Sequence, residues 1–248
     1  MKKFFKWFAI SFLVSALGLV VFCWYQNKPL PQGQKSAEAD SLAQKMLRAT
    51  GYDAWQKTNI VAWDFSGGHQ YLWDKQRNLV QVQWGNKRVL LNLTDWPKGQ
   101  AFVDNKPQTG NELDVERGKA WAYFCNDSFW LIAPNKILDE GTERRIVPQK
   151  DGKDALLVTY KSGGVTPNDS YLWFLDKNGL PTHYQMWVSI LPIGGLEATW
   201  ESWQKLPTGA QVATKHKLGP VAITIENLKA GQSWQELGMT ADPFAGIQ

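Results

Sequence analysis

Near Asn59 the spacing of apolar residues along this chain changes from a period of three to four residues to a period of two. In "NIVAWDF" Val61, Trp63 and Phe65 share one side; in "LVQVQW" Val80, Val82 and Trp84 oppose Gln81 and Gln83; in "RVLLNL" Val89, Leu91 and Leu93 align. Successive side chains of a strand point to opposite faces, so this alternation predicts half-buried β-strands and excludes an all-helical fold. "SGGH", "DKQRN" and "GNK" read as the turns between them. The alternation returns in "RRIVPQ", "ALLVTYK", "SYLWFLDK", "THYQMWVS", "LEATWESWQ", "AQVATKHKL" and "VAITIENLK", with Asn178-Gly179 as a hairpin signal. The count comes to about ten to twelve antiparallel strands.

Two helical intervals interrupt this pattern. In "AEADSLAQKMLRATG" Ala39, Leu42, Ala43, Met46 and Leu47 recur at helical spacing, Asp40 sits in the first turn, and Gly51 ends the run. "YDAWQKT" adds a short turn carrying Trp55. From Asn111 to about Phe129, Trp121, Phe124, Cys125, Ser128 and Phe129 fall on one stripe. So many strands in a flat sheet would expose long edges, which curvature or near closure removes. The expected fold is therefore mainly β: a single curved antiparallel sheet forming an incomplete, half-open barrel, with helices covering its concave side.

The N-terminus reads as a separate object. Lys2, Lys3 and Lys6 precede an uncharged run from Trp7 to Tyr25, 19 residues that span about 28 Å as a helix. The expectation is an N-terminal transmembrane helix over residues 1–26, a linker over 27–36 and a β domain over 37–248. With the basic end held inside, the domain would lie in the periplasm on a single-pass anchor in the cytoplasmic membrane. No small-x-small cleavage site follows the run, and bulky Phe22 precedes Cys23, which leaves signal cleavage and lipidation of Cys23 as the two lesser readings. Removing the three lysines from the 27 basic residues leaves 24 against 23 acidic ones, so the body carries no footprint of nucleic-acid binding.

Catalytic chemistry has little foothold in the sequence. His69, His183 and His216 show no metal-ligand spacing, and neither CxxC nor GxSxG occurs. No catalytic residue, metal site or cofactor is predicted. His69 with Asp64 or Asp74 is the one acid-base cluster that sequence proximity offers, and local turn hydrogen bonding is its plainer explanation. Cys125, on an apolar stripe, reads as an inert buried thiol.

The 14 tryptophans stand out against this sparse chemistry. A small closed barrel fills with branched aliphatics, and this many indoles are hard to pack there without leaving space. The order of elements resembles the LolA/LolB-like fold of bacterial lipoprotein-localisation carriers, and "GYDAW", "HQYLWDK", "NDSFWLIAP" and "GGVTPNDSYLWFLDKNGLP" look like recurrent blocks of uncharacterised envelope proteins with that fold. The resemblance implies an apolar concave face that receives lipid or the acyl chains of lipoproteins. Trp63, Phe65, Tyr71, Trp73, Trp84, Trp173, Met186 and Trp187 would then line the cavity, with Trp121, Phe124 and Phe129 as its lid. The alternatives are a structural envelope protein whose rings fill the core, and a hydrolase-type enzyme on the same scaffold.

Overall fold

The computed structural model describes residue 7 and residues 25–95, 98–163 and 165–247. Helix α1 (Ala37–Thr50) starts at Ser36, whose hydroxyl accepts from Ala39 N, and stops at Gly51. A short α2 (Tyr52–Lys57) leads into a meander of β1 (Ile60–Phe65), β2 (His69–Asp74), β3 (Leu79–Trp84), β4 (Lys87–Asn92), β5 (Gly99–Val103) and β6 (Lys106–Pro107). Helix α3 (Gly110–Ile132) follows. The chain then returns to strands: β7 (Thr142–Pro148), β8 (Asp154–Tyr160), β9 (Ser170–Leu175), β10 (Pro181–Trp187), β11 (Leu196–Thr199), β12 (Glu201–Lys205), β13 (Gln211–Leu218) and β14 (Val221–Gly231).

All fourteen strands of the described residues belong to one sheet, in the order β6-β5-β4-β3-β2-β1-β14-β13-β11-β10-β9-β8-β7, with β12 also beside β13. The single antiparallel sheet matches the sequence expectation; the half-open barrel does not. The path runs open from β6 to β7, no pairing joins those two strands, and the sheet is neither closed nor strongly curled. Its edges are protected without closure. β6 is two residues long and ends in Pro107, while β7 carries Arg144, Arg145 and Pro148 and is bridged at Ile146 by Gln34.

The last strand unites the two halves. β14 pairs through Val221–Thr224 with β13 and through Ile225–Gly231 with β1. Just beyond the switch of partner the β1–β14 ladder shifts register between Ala62 and Asp64, where Asn227 has φ 50°.

Both faces of the sheet are covered in part. On one face α1 lies over β7, β8 and β13, and α3 lies over β3, β4, β5 and β13. On the other, Trp234, Leu237, Met239, Phe244 and Ile247 of the C-terminal segment pack on Ile60, Leu72, Leu79 and Leu90. Arg77 fastens that segment: its Nε donates to Asp74 Oδ2 at 2.6 Å and its Nη atoms donate to Asp242 at 2.7 and 2.8 Å. Residues 27–36, expected as a tether, lie against the sheet, with Lys28 N donating to Gly194 O and Gln34 exchanging hydrogen bonds with Ile146.

Among the described residues no helix is long and apolar enough to cross a membrane. The single-pass anchoring and the periplasmic placement built on it therefore find no support in the structure, and the run on which they were based falls almost wholly outside the described residues.

Two glycines predict opposite responses to the same substitution. Gly179 has φ +96°, and a Cβ there would meet the backbone oxygen of Lys45 in α1 at 2.9 Å. Gly179→Ala should destabilise by about 2 kcal/mol through backbone strain and the clash. Gly118, within α3, has open space where a Cβ would go. Gly118→Ala should stabilise by about 0.5–1 kcal/mol, since alanine loses less entropy in a helix. Urea denaturation of the two variants beside the parent measures both signs.

Candidate functional site

The residues expected to line a cavity are instead packed against those expected to form its lid. Trp63 stacks on Tyr71 with ring centroids 4.5 Å apart, and Phe124 of α3 meets Trp73 edge-on at 5.2 Å and Trp63 at 6.5 Å. Further along, Trp173 meets Tyr184 at 4.9 Å and Trp200 at 5.1 Å, and Phe129 meets Tyr171 at 4.7 Å. These are normal separations for aromatic pairs in a filled core. Trp63 and Trp173 are 1% and 0% exposed.

Two apolar clusters share this face and meet at Phe65, which packs against both. Trp63, Tyr71, Trp73, Trp84, Trp121 and Phe124 belong to the first, and Trp173, Met186 and Phe129 to the second. Trp187 points the other way, toward Leu172 and Phe174, and its indole donates to Lys28 O at 2.8 Å. Among the described residues no closed cavity or barrel stands behind the expected binding of lipid or acylated lipoprotein, and that expectation is overturned. The rings are core.

His69 is not partnered by Asp64 or Asp74. Strand alternation sends His69 and Tyr71 toward α3, and Asp64 and Asp74 to the opposite face. His69 Nδ1 lies 2.6 Å from Oδ2 of Asp127 in α3, and the same oxygen accepts from Tyr71 OH at 2.6 Å. Asn126 Nδ2 donates to Oδ1 at 2.8 Å. Burial, and then the neighbouring Asp127 charge, push the Tyr71 phenol far above its ordinary range, so it stays a donor. The imidazole stacks on Tyr123 at 4.1 Å. Among the described residues no serine, threonine or cysteine hydroxyl or thiol bonds to His69, so the pair lacks a nucleophile; it ties α3 to β2. Burial pushes the Cys125 thiol up to about 11, which keeps it protonated and unreactive.

The opposite face holds a different arrangement. Register places Glu226, Asp64, Gln70, Gln83, Arg88 and Phe102 in one cross-strand row over β14, β1, β2, β3, β4 and β5. The C-terminal segment covers the same face further down, at Leu72, Leu79 and Leu90, and reaches the row only at Phe102, which packs against the cluster of Leu79, Leu90 and Phe244. Around it, the tips at Gly67-Gly68, Gly85-Asn86 and Asp104-Asn105 raise the rim of a cleft of about 490 Å³. Asp64, His69, Gln70, Gln83, Trp84, Lys87 and Arg88 line it, Glu226 stands beside Asp64 just outside it, and no residue of α3 lines it.

The charges of the cleft are unevenly satisfied. Asp64 accepts from Asn227 Nδ2 at 2.6 Å, Asp104 accepts from Asn86 Nδ2 at 2.9 Å, and Lys87 pairs with Glu116 at 2.7 Å. Arg88 lies over the Phe102 ring, 4.1 Å from its centroid, with no carboxylate within ion-pair distance among the described residues. By contrast Arg77, Arg117, Arg144 and Arg145 each pair with an acid. Gln83 was visible in the sequence as the polar side of "LVQVQW". Arg88 and Asp127 were not, since the first is marked only by its register neighbours and the second by a contact across 58 residues. Among the described residues no cluster of three or more His, Cys, Asp or Glu could hold a metal ion.

No family model and no curated protein matches the chain. Among solved structures, a DUF1329 family protein from Desulfovibrio piger aligns at 12% identity over 77% of this chain and 92% of that one, with a TM-score of 0.42. A likeness this weak carries no argument. The resemblance to the LolA/LolB-like carriers is likewise not supported: no family match stands behind it, and the open sheet with its packed face lacks the barrel and cavity that the resemblance implied.

Two predictions concern groups that hold these surfaces in place. His216 is 0% exposed between Trp130 and Trp200, and burial pushes its imidazole down to about 4, against the opposing influence of the Thr199 and Trp130 backbones and Glu201. The folded state keeps it neutral. Its contribution should be complete above the unfolded value of 6.5 and be lost as pH falls toward 4, a change of about 3 kcal/mol. Urea midpoints measured from pH 7 to pH 4 should show that slope, and His216→Phe should flatten it. Arg77→Leu leaves Asp74 buried without its cation and frees Asp242, so it should cost about 3 kcal/mol and expose the segment after Gly231 to protease.

Proposed function

We propose that this protein is a binding module that captures a small polar ligand bearing a carboxylate in the cleft at the hairpin tips, without covalent chemistry. The observation that carries this reading is Arg88. A guanidinium held over an aromatic ring has little freedom to lose, and the absence of an acidic partner among the described residues leaves its donors for a ligand. A carboxylate accepts two parallel hydrogen bonds from that fork.

The neighbouring side chains support the same chemistry. Gln70 and Gln83 present amides beside Arg88 that donate and accept, which suits a ligand with carbonyl and N–H groups. An apolar ligand would leave all of these groups unsatisfied, at about 1–3 kcal/mol each. Catalysis is not part of the proposal: among the described residues the cleft holds no nucleophile paired to a base, and His69, which borders it, has Nδ1 held by Asp127 on the α3 side of the sheet.

Isothermal calorimetry of the full-length chain with N-acetylglycine, which carries one amide and one carboxylate, tests the reading. Saturable binding is expected in the millimolar range. Arg88→Gln should weaken it about tenfold or more, and N-acetylglycinamide, which lacks the carboxylate, should show the same loss with the parent protein. Equal binding of the two compounds, or no effect of Arg88→Gln, would overturn it.

A further inference from the structure

We infer that the ligand of this cleft is a short peptide with both termini free, about four residues long, lying across the strands with its carboxylate on Arg88 and its amine at Asp64 and Glu226. The inference rests on the binding role proposed for the cleft and goes further by assigning the ligand's class, length and direction. It starts from the order of side chains in the row: two carboxylates, two amides, then a guanidinium. That order is polar from end to end. A ligand with one charge satisfies half of it, and a zwitterion satisfies both ends.

The dimensions select among zwitterions. Adjacent strands lie about 4.8 Å apart, so the three steps from Asp64 on β1 to Arg88 on β4 span about 14 Å. An extended chain advances about 3.3–3.6 Å per residue, which makes about four residues the length whose ends reach both charges. A free amino acid or a dipeptide is too short to touch both. The amides of Gln70 and Gln83 then fall beneath the middle of the peptide, where its own N–H and C=O groups need partners.

The acidic end is open to a cation. Neither Asp64 nor Glu226 has a Lys or Arg within ion-pair distance among the described residues, and their recorded partners are neutral: Asn227 for Asp64 and Thr224 for Glu226. An ammonium group donates three hydrogen bonds, and two neighbouring carboxylates on adjacent strands provide acceptors for them. Of the other charged groups of the cleft, Lys87 is engaged by Glu116, and Asp104, whose recorded partner is the neutral Asn86, sits in the turn after β5, outside the stretch from Asp64 to Arg88. That stretch sets the orientation.

The test uses the full-length chain and tetraalanine, with calorimetry at low ionic strength. Tetraalanine with free ends should bind, and N-acetylation or C-amidation should each weaken it about tenfold. In the double variant Asp64→Asn with Glu226→Gln, N-acetylation should lose its effect while amidation keeps it. In Arg88→Gln the reverse should hold. Asp64→Asn and Glu226→Gln keep side-chain size, Arg88→Gln keeps a polar amide in place of the cation, and a circular dichroism spectrum matching the parent confirms folding. Dialanine should be indifferent to N-acetylation. If tetraalanine and its N-acetyl form bind alike while N-acetylglycine still binds through Arg88, the peptide inference falls and the carboxylate-binding role stands. If none of these compounds binds, or if maltotetraose binds and Arg88→Gln leaves that binding unchanged, both fall.

Discussion

The pairing of β1 with β14 is the constraint on which the rest of the molecule depends. The meander of β1 to β6 and the strands from β7 to β13 are each built from near neighbours in sequence, and only β14 touches both groups as a strand. Because Ile225–Gly231 hydrogen-bonds to β1 while Val221–Thr224 hydrogen-bonds to β13, two ribbons become one surface. Phe65, at the end of β1, then reaches both apolar clusters and makes a continuous core of them. The polar row also depends on this pairing, since Glu226 comes to Asp64 only across the β1–β14 ladder.

A broad open sheet also explains what the tryptophans do. The case for a cavity assumed a small closed barrel, whose interior has a fixed radius and no room for many indoles. An open sheet has no such limit: its face extends strand by strand, and two helices lie over it, so large rings spread sideways into a layer. Trp55, Trp63, Trp73 and Phe124 form one part of that layer, and Trp130, Trp173, Tyr184 and Trp200 the other. The indole N–H groups of Trp63, Trp73 and Trp173 are buried there with no acceptor among the described residues. Such a group costs about 1–3 kcal/mol, which the burial of each large ring offsets.

Much of the fold was legible where the cause is local. The change of period at Asn59 marked the first strand, Gly51 marked the end of α1, and Asn178-Gly179 marked the β9–β10 turn, although residues 176–180 form a longer loop in which Asp176 Oδ1 accepts from Asn178 N and Leu180 N. "LEATWESWQ" read as one strand and is two, because the chain breaks at Trp200 and passes Ser202 at φ 55°. Closure was misjudged because edge protection is set by Pro107, Arg144 and the Gln34 bridge, none of which carries a periodic signal. The site was less legible still. His69 looked to the acids nearest in sequence, whereas alternation turns it away from them toward Asp127 in a distant helix. Arg88 becomes informative only once register sets it beside Gln83 and Phe102.

The distance in sequence between β1 and β14 bears on how the protein is made. While the ribosome is still adding residues, β1 has its partner on one side only, and its other edge, next to Val61 and Trp63, waits for a strand that emerges after the other described strands of the sheet. An unpaired edge beside buried-type apolar residues is a template for the wrong strand, including one from a neighbouring nascent chain. The first half of this molecule therefore needs shelter during synthesis, and a chain terminated early would lack the one element able to provide it.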